Sequence, residues 1–137
     1  MPATSKAGTE TVLVVSPSLN LALSGILGGA SCPLAVLHSP DCEQALAHLA
    51  DSSISVVICE TLLPDGSWKD LLACMARAKA SSVLVVTSRI ADEWLWAEVL
   101  NLGGYDVLAQ PFDQDEVTRV VRSAVRSSSD LWRSRLA

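Results

Sequence analysis

The chain has 137 residues, half of them apolar, with 18% charged and 4% aromatic. That length predicts one domain able to bury a core without disulfides or metals, and the apolar fraction excludes a disordered chain. The net charge of −5 is unevenly spread: from Val117 onward there are five arginines and one acid, against five basic and fourteen acidic residues before it. An acidic body disfavours binding along a nucleic acid, because phosphate contacts need cation density.

No apolar run reaches the roughly 18 residues of a membrane-spanning helix, and MPATSKAGTE lacks the apolar core of a signal peptide. A cytoplasmic globular protein is expected. Residues 1–10 read as a disordered leader.

Val12 to Val15 is a short apolar run, as expected of a strand covered on both faces. Leu19, Leu21, Leu23, Ile26 and Leu27 then recur at helical spacing until Gly28-Gly29. Pro33 to Leu37 is a weaker second strand. Ser39-Pro40 reads as a cap and first helical residue, with Ala45, Leu46 and Leu49 as the apolar stripe. Ile54 to Cys59 is the third strand, followed by a loop from Thr61 to Gly66. Ser67 and Asp70 form a capping-box pattern before Leu71, Leu72 and Met75.

Val83 to Val86 is the fourth strand, Ala91 to Leu102 a helix stopped by Gly103-Gly104, and Tyr105 to Ala109 the fifth strand. Trp94 and Trp96 stand two apart, so they cannot share one helix face. One is expected to pack on the sheet beside Leu95, Val99 and Leu102, the other to reach the surface. Asp113 and Glu116 open a last helix with Val117, Val120, Val121, Ala124 and Val125 on one face. The domain is placed at 11–128, and 129–137 is read as a separate tail containing Trp132.

Five short strands alternating with five helices predict a parallel sheet covered on both sides, a single doubly wound (βα)5 three-layer sandwich. In that architecture ligands sit where the strands end and strand order reverses. The candidate positions are therefore Ser16 and Pro17, Glu60, Thr87 and Ser88, Gln110 and Pro111.

Cysteines stand at 32, 42, 59 and 74 with no CxxC pair, so neither a disulfide framework nor zinc is expected. His38, Cys42 and His48 match no zinc spacing and are read as single polar residues on an amphipathic helix. No metal and no cofactor is assigned.

At the strand exits the chain resembles the receiver (CheY-like) domain of two-component response regulators. The landmarks are VLVV, VVICETLLPDG with proline four residues after Glu60, VLVVTS, and GGYDVLAQPF. The resemblance implies a flavodoxin-like fold with strand order 2-1-3-4-5. It also implies a site in which a third-strand aspartate accepts a phosphoryl group, two first-loop acids hold Mg²⁺, a lysine holds a phosphoryl oxygen, and a Thr or Ser hydroxyl binds another.

Aligned by these landmarks, Ser16 and Pro17 replace the acid pair, Glu60 the aspartate, and Gln110 before Pro111 the lysine. Thr87 keeps the family's type, and Val107 stands at the switch aromatic. A degenerate member is expected: not an enzyme, working by phosphorylation-independent binding to a protein in a signalling circuit. The family's interaction face, made by the fourth helix, fifth strand and fifth helix, makes Trp94, Trp96, Arg119 and Arg122 interface candidates, with a homodimer as one outcome. The alternative reading is a flavin-phosphate carrier using the hydroxyl-rich loop Ser16–Asn20 before a helix N-terminus. Against it, that loop lacks glycines and Pro17 removes a donor.

Overall fold

The computed structural model describes residues 10–28, 34–51, 53–78 and 80–136. Residues 1–9 of the expected leader, with Gly29, Cys32 and Pro33, lie outside them, whereas Glu10 is described and its carbonyl accepts from the Ala35 N–H at 2.9 Å. The elements in chain order are β1 (Thr11–Val15), α1 (Asn20–Leu27), β2 (Ala35–Ser39), α2 (Cys42–Asp51) and β3 (Val56–Glu60). They continue with β4 (Leu62–Leu63), β5 (Gly66–Ser67), α3 (Trp68–Arg77), β6 (Val83–Ser88), α4 (Glu93–Leu102), β7 (Asp106–Ala109) and α5 (Gln114–Leu136). The main sheet is parallel with order β2-β1-β3-β6-β7, while β4 and β5 form a two-residue antiparallel hairpin. Without that hairpin, which the sequence reads as loop, the order is the expected 2-1-3-4-5.

The continuous apolar runs are explained by burial on both faces. Leu13, Val15, Val57, Cys59, Leu84 and Val86 point to one side and pack with Ala45 of α2, Leu71 and Met75 of α3, and Val99 of α4. Val12, Val14, Val56, Ile58, Val85 and Leu108 point to the other and pack with Leu23 and Leu27 of α1 and Val117, Val120, Val121 and Ala124 of α5. The alternation of side chains across a strand divides these positions between two layers of helices.

Helix boundaries follow local chemistry where the cap is local. Ser67 accepts from the Lys69 amide at 3.2 Å, and Asp70 accepts from the Ser67 amide at 2.9 Å, completing the expected box. Asp92 caps α4 by accepting from the Leu95 amide at 3.0 Å. Gly103 ends that helix with φ +107°, a conformation that disfavours any Cβ.

Several expectations are corrected. Ser39 does not cap α2: it is the buried last residue of β2, and its hydroxyl has no partner among the described residues. The α2 amides are held instead by Asp41, which accepts from Gln44, and by Asp65, which accepts from Cys42 and Glu43. His38 belongs to β2, not to a helix. Neither Trp94 nor Trp96 packs on the sheet; they are 85% and 51% exposed. Leu95 and Val99 face the core, and residues on either side of Leu95 are swung about 100° away from it. Leu102, expected beside them, is also exposed.

The 128/129 boundary falls inside α5, which continues helical to Leu136. Ser128 is buried there and its hydroxyl donates to the Ser81 carbonyl at 2.8 Å, holding the helix against the β6 side of the body.

Candidate functional site

The reversal of strand order lies between β1 and β3, so their exits stand side by side. Ser16 follows β1, and Glu60 ends β3. The Ser16 hydroxyl donates to the Glu60 carboxylate. The same oxygen accepts the backbone N–H groups of Ser18 at 3.1 Å and Leu19 at 2.9 Å. Ser16 is thereby drawn inward, 1% exposed, while Pro17 and Ser18 stay at the surface.

The Ser16 backbone is fixed as well. Its N–H donates to the Ser39 carbonyl at 2.9 Å, and its carbonyl accepts from His38 Nε2 at 2.6 Å. A carbonyl can only accept, so His38 carries its proton on Nε2 here. No local motif signals this role, because the partner lies 22 positions away and is a main-chain atom.

On the other side of Glu60 stands Thr87, paired with it in register across β3 and β6 and 1% exposed. Its hydroxyl donates to the Leu108 carbonyl at 3.0 Å. The Gln110 side-chain amide donates to the same Thr87 oxygen at 3.2 Å. Thr87 thus spends its single proton toward β7, and Gln110 reaches Thr87. Glu60 and Ser16 form one hydrogen-bonded group; Thr87, Leu108 and Gln110 form another. Val107 is half-buried on β7, and Pro111 follows a cis peptide bond after Gln110.

The loop after β3 contributes a residue that motif reading passed over. Asp65 projects from the β4–β5 hairpin turn to the α2 N-terminus, where it accepts from the Cys42 and Glu43 amides at 2.9 and 3.1 Å. The Cys42 amide, with a smaller contribution from Glu43, holds the carboxyl below the usual aspartate range. Burial, aided by that nearby carboxylate, pushes the Cys42 thiol up to about 11. Cys59 is pushed up further, chiefly by burial. Both thiols are protonated at neutral pH and poor nucleophiles.

The remaining candidates sit away from the strand exits. Trp96 lines an open groove of about 260 Å³ with Ala91, Glu93, Val107, Ala109 and Glu116. Trp94 projects from the same helix into solvent, and Arg119 and Arg122 lie on the exposed side of α5. The Ser16 hydroxyl of the Ser16–Asn20 loop is consumed by the loop's own amides and Glu60. That leaves it unavailable as a cradle for a flavin phosphate. No described helix is long and apolar enough to cross a membrane.

No protein-family model matches the sequence. Among curated proteins the chain is similar to a probable transcriptional regulatory protein, y4xI, of Sinorhizobium fredii, at 29% identity over 119 residues, covering 87% of this chain and 52% of that protein. It is also similar to the transcriptional regulatory protein CpxR of Klebsiella pneumoniae, at 31% identity over 93 residues, covering 68% of this chain and 39% of the relative. Among solved structures, the signal receiver domain of an HD domain-containing protein from Pseudomonas fluorescens Pf-5 superposes with a TM-score of 0.77 at 25% identity, over 88% of this chain and 90% of that one. A CheY-like response regulator receiver domain protein from Methanospirillum hungatei shares the fold with a TM-score of 0.77 at 14% identity, over 90% and 98% of the two chains. The chain spans about half or less of the length of the curated relatives it matches.

Proposed function

Because the chain is a receiver domain of the response-regulator kind, we propose that it acts as a pseudo-receiver, a cytoplasmic, non-enzymatic signalling domain that binds a protein partner without being phosphorylated. The observation that carries this reading is the hydrogen bond from the Ser16 hydroxyl to Glu60. The position assigned by resemblance to a metal-holding acid is occupied by a neutral group, turned inward and used to close its own loop.

Mg²⁺ is held by one or two carboxylates with waters and phosphate oxygens in near-octahedral array. Glu60 is the one carboxylate among the aligned positions, Pro17 has no side-chain donor, and the Ser16 oxygen already serves two amides. This donor set does not fit the ion. Gln110 carries no charge to set against an incoming phosphoryl group, and its amide is directed to Thr87. Transfer that depends on positioning and charge compensation loses both.

Glu60 is then a relic of the acceptor position and not an imitation of its phosphorylated form. An imitation needs the Thr87 hydroxyl, whose proton goes to the Leu108 carbonyl.

The output surface is the α4–β7–α5 face. It has an apolar groove beside Trp96. Exposed Glu93 lies on α4, and exposed Arg119 and Arg122 on α5. A two-fold pairing sets α4 of one copy against α5 of the other, bringing opposite charges together. A second copy of this chain is the partner that face suits.

Incubation with acetyl phosphate and Mg²⁺, followed by intact-mass measurement, tests the central claim. A phosphorylatable receiver domain run alongside gains one phosphoryl group, and this chain stays at its unmodified mass. A stable phosphorylated species of the wild-type chain, absent from Glu60→Gln, would overturn the reading.

A further inference from the structure

We propose that the solvent face of α5 is a docking track for an acidic helical segment of a protein partner, running from Arg119 and Arg122, which also border the α4–β7–α5 face, on to Arg126 and Arg133. Arg119, Arg126 and Arg133 recur every seven residues, with Arg122 between the first two, and all four are exposed. The buried residues Val117, Val120, Val121, Ala124 and Ser128 define the opposite side of the helix. At 100° per residue the four guanidinium-bearing positions fall within about 60° of arc, directly away from the core, along about 21 Å of helix. Part of this strip borders an open groove of about 430 Å³ beside Gln114, Asp115 and Thr118.

Helix electrostatics alone does not account for the strip. Cations stabilise a helix near its C-terminus, but Arg119 and Arg122 stand in the first half of α5, nearer the end that disfavours them. Two acids share the outward side, Asp115 and Asp130, and Asp130 makes only an exposed 3.4 Å pair with Arg133. Such a pair contributes little to stability.

Every cation of the chain from Val117 onward is arginine, and none is lysine. The planar guanidinium fork binds carboxylates in a bidentate manner, which an ammonium cannot do.

The occupant is narrow and acidic. The strip is one helix wide, about 10 Å, and is bordered by Asp113, Asp115 and Glu116 at the start of α5. The residues before Val117 carry fourteen acids against five bases. A DNA duplex would gain at most four phosphate contacts while lying against that acidic body. A single helix bearing glutamates at three-, four- and seven-residue spacing meets the four arginines and only two acids, Asp115 and Asp130.

The test uses a fluorescently labelled alanine-based helical peptide of about 23 residues with glutamates on one face, titrated with the full chain at low and at physiological salt. Fluorescence anisotropy should report binding that weakens with salt. Arg126→Glu/Arg133→Glu should weaken it at least tenfold with an unchanged circular dichroism spectrum. Arg126→Lys/Arg133→Lys should fall between that variant and the wild type. Absence of binding at low salt, wild-type affinity in the charge-reversed variant, or tighter binding to a DNA duplex of equal charge would each overturn the proposal. The phosphorylation test does not enter this readout, so failure of the pseudo-receiver reading and failure of this proposal are distinguishable.

Discussion

Asp65 shows how one side chain couples two parts of the molecule. It ties the loop after β3 to the first turn of α2 through two amides. Its carboxyl is held below its ordinary range in the folded state. A group with a depressed folded pKa contributes stability that is present above its unfolded pKa, near 4, and is lost as pH falls through the folded value. Asp65→Asn is therefore expected to lower the unfolding midpoint at pH 7. It should also flatten the loss of stability on acidification below about pH 4, as read by urea melts across that range. A variant with the same acid limb as the wild type would remove this role.

Ser16 makes the complementary point about the site. Its place at the β1 exit, where the resemblance implies an acid, was legible from the order of the strand exits. Its geometry was not, because three of its partners are backbone groups and the two side chains, His38 and Glu60, are 22 and 44 residues away. Residue identity showed which side chains stand at the strand exits; only the fold shows what they do with one another.

Among the elements, periodicity revealed each helix whose contacts repeat along it. The apolar positions of α5 from Val117 to Ala124 form its buried stripe. Two anchors of helix position were hidden for a common reason, which is that each partner is distant in sequence. The α2 cap Asp65 lies 23 residues after Cys42, and the Ser128 anchor Ser81 lies 47 residues before it. A serine-rich stretch with no apolar repeat carries no local sign of helix, so 129–136 read as tail.

The end of α4 was legible because glycine there answers a local demand. Gly103 has φ +107°, and a Cβ on Gly104 would stand 2.4 Å from Val99 Cγ1. Gly103→Ala should cost about 1 kcal/mol in chemical denaturation from backbone conformation alone. Gly104→Ala should cost more, because fully buried Val99 has to move. Equal stability in both variants and the wild type would show that α4 ends for another reason.

For the whole molecule, the uneven distribution of exposed apolar side chains is informative. Ile90, Trp94, Trp96, Leu100 and Leu102 are exposed and lie within or just before α4. The two aromatic side chains stand on opposite flanks of the core-facing Leu95, so the helix is apolar well beyond its buried stripe. A helix apolar around most of its circumference is ordinarily covered on most sides. Light scattering over a concentration series should give a wild-type mass rising toward that of two chains, with Trp96→Ala remaining at one. A monomer's mass for both at high concentration would dispose of the homodimer, leaving the face to another protein.

The Thr87 hydroxyl, fastened between Leu108 and Gln110, has a consequence for regulation. If the chain works as the proposed pseudo-receiver, a toggle kept at one setting conveys nothing by changing shape; the variable left to the cell is then the number of copies, so that occupancy of the partner follows mass action and control passes to the rates at which the chain is made and destroyed.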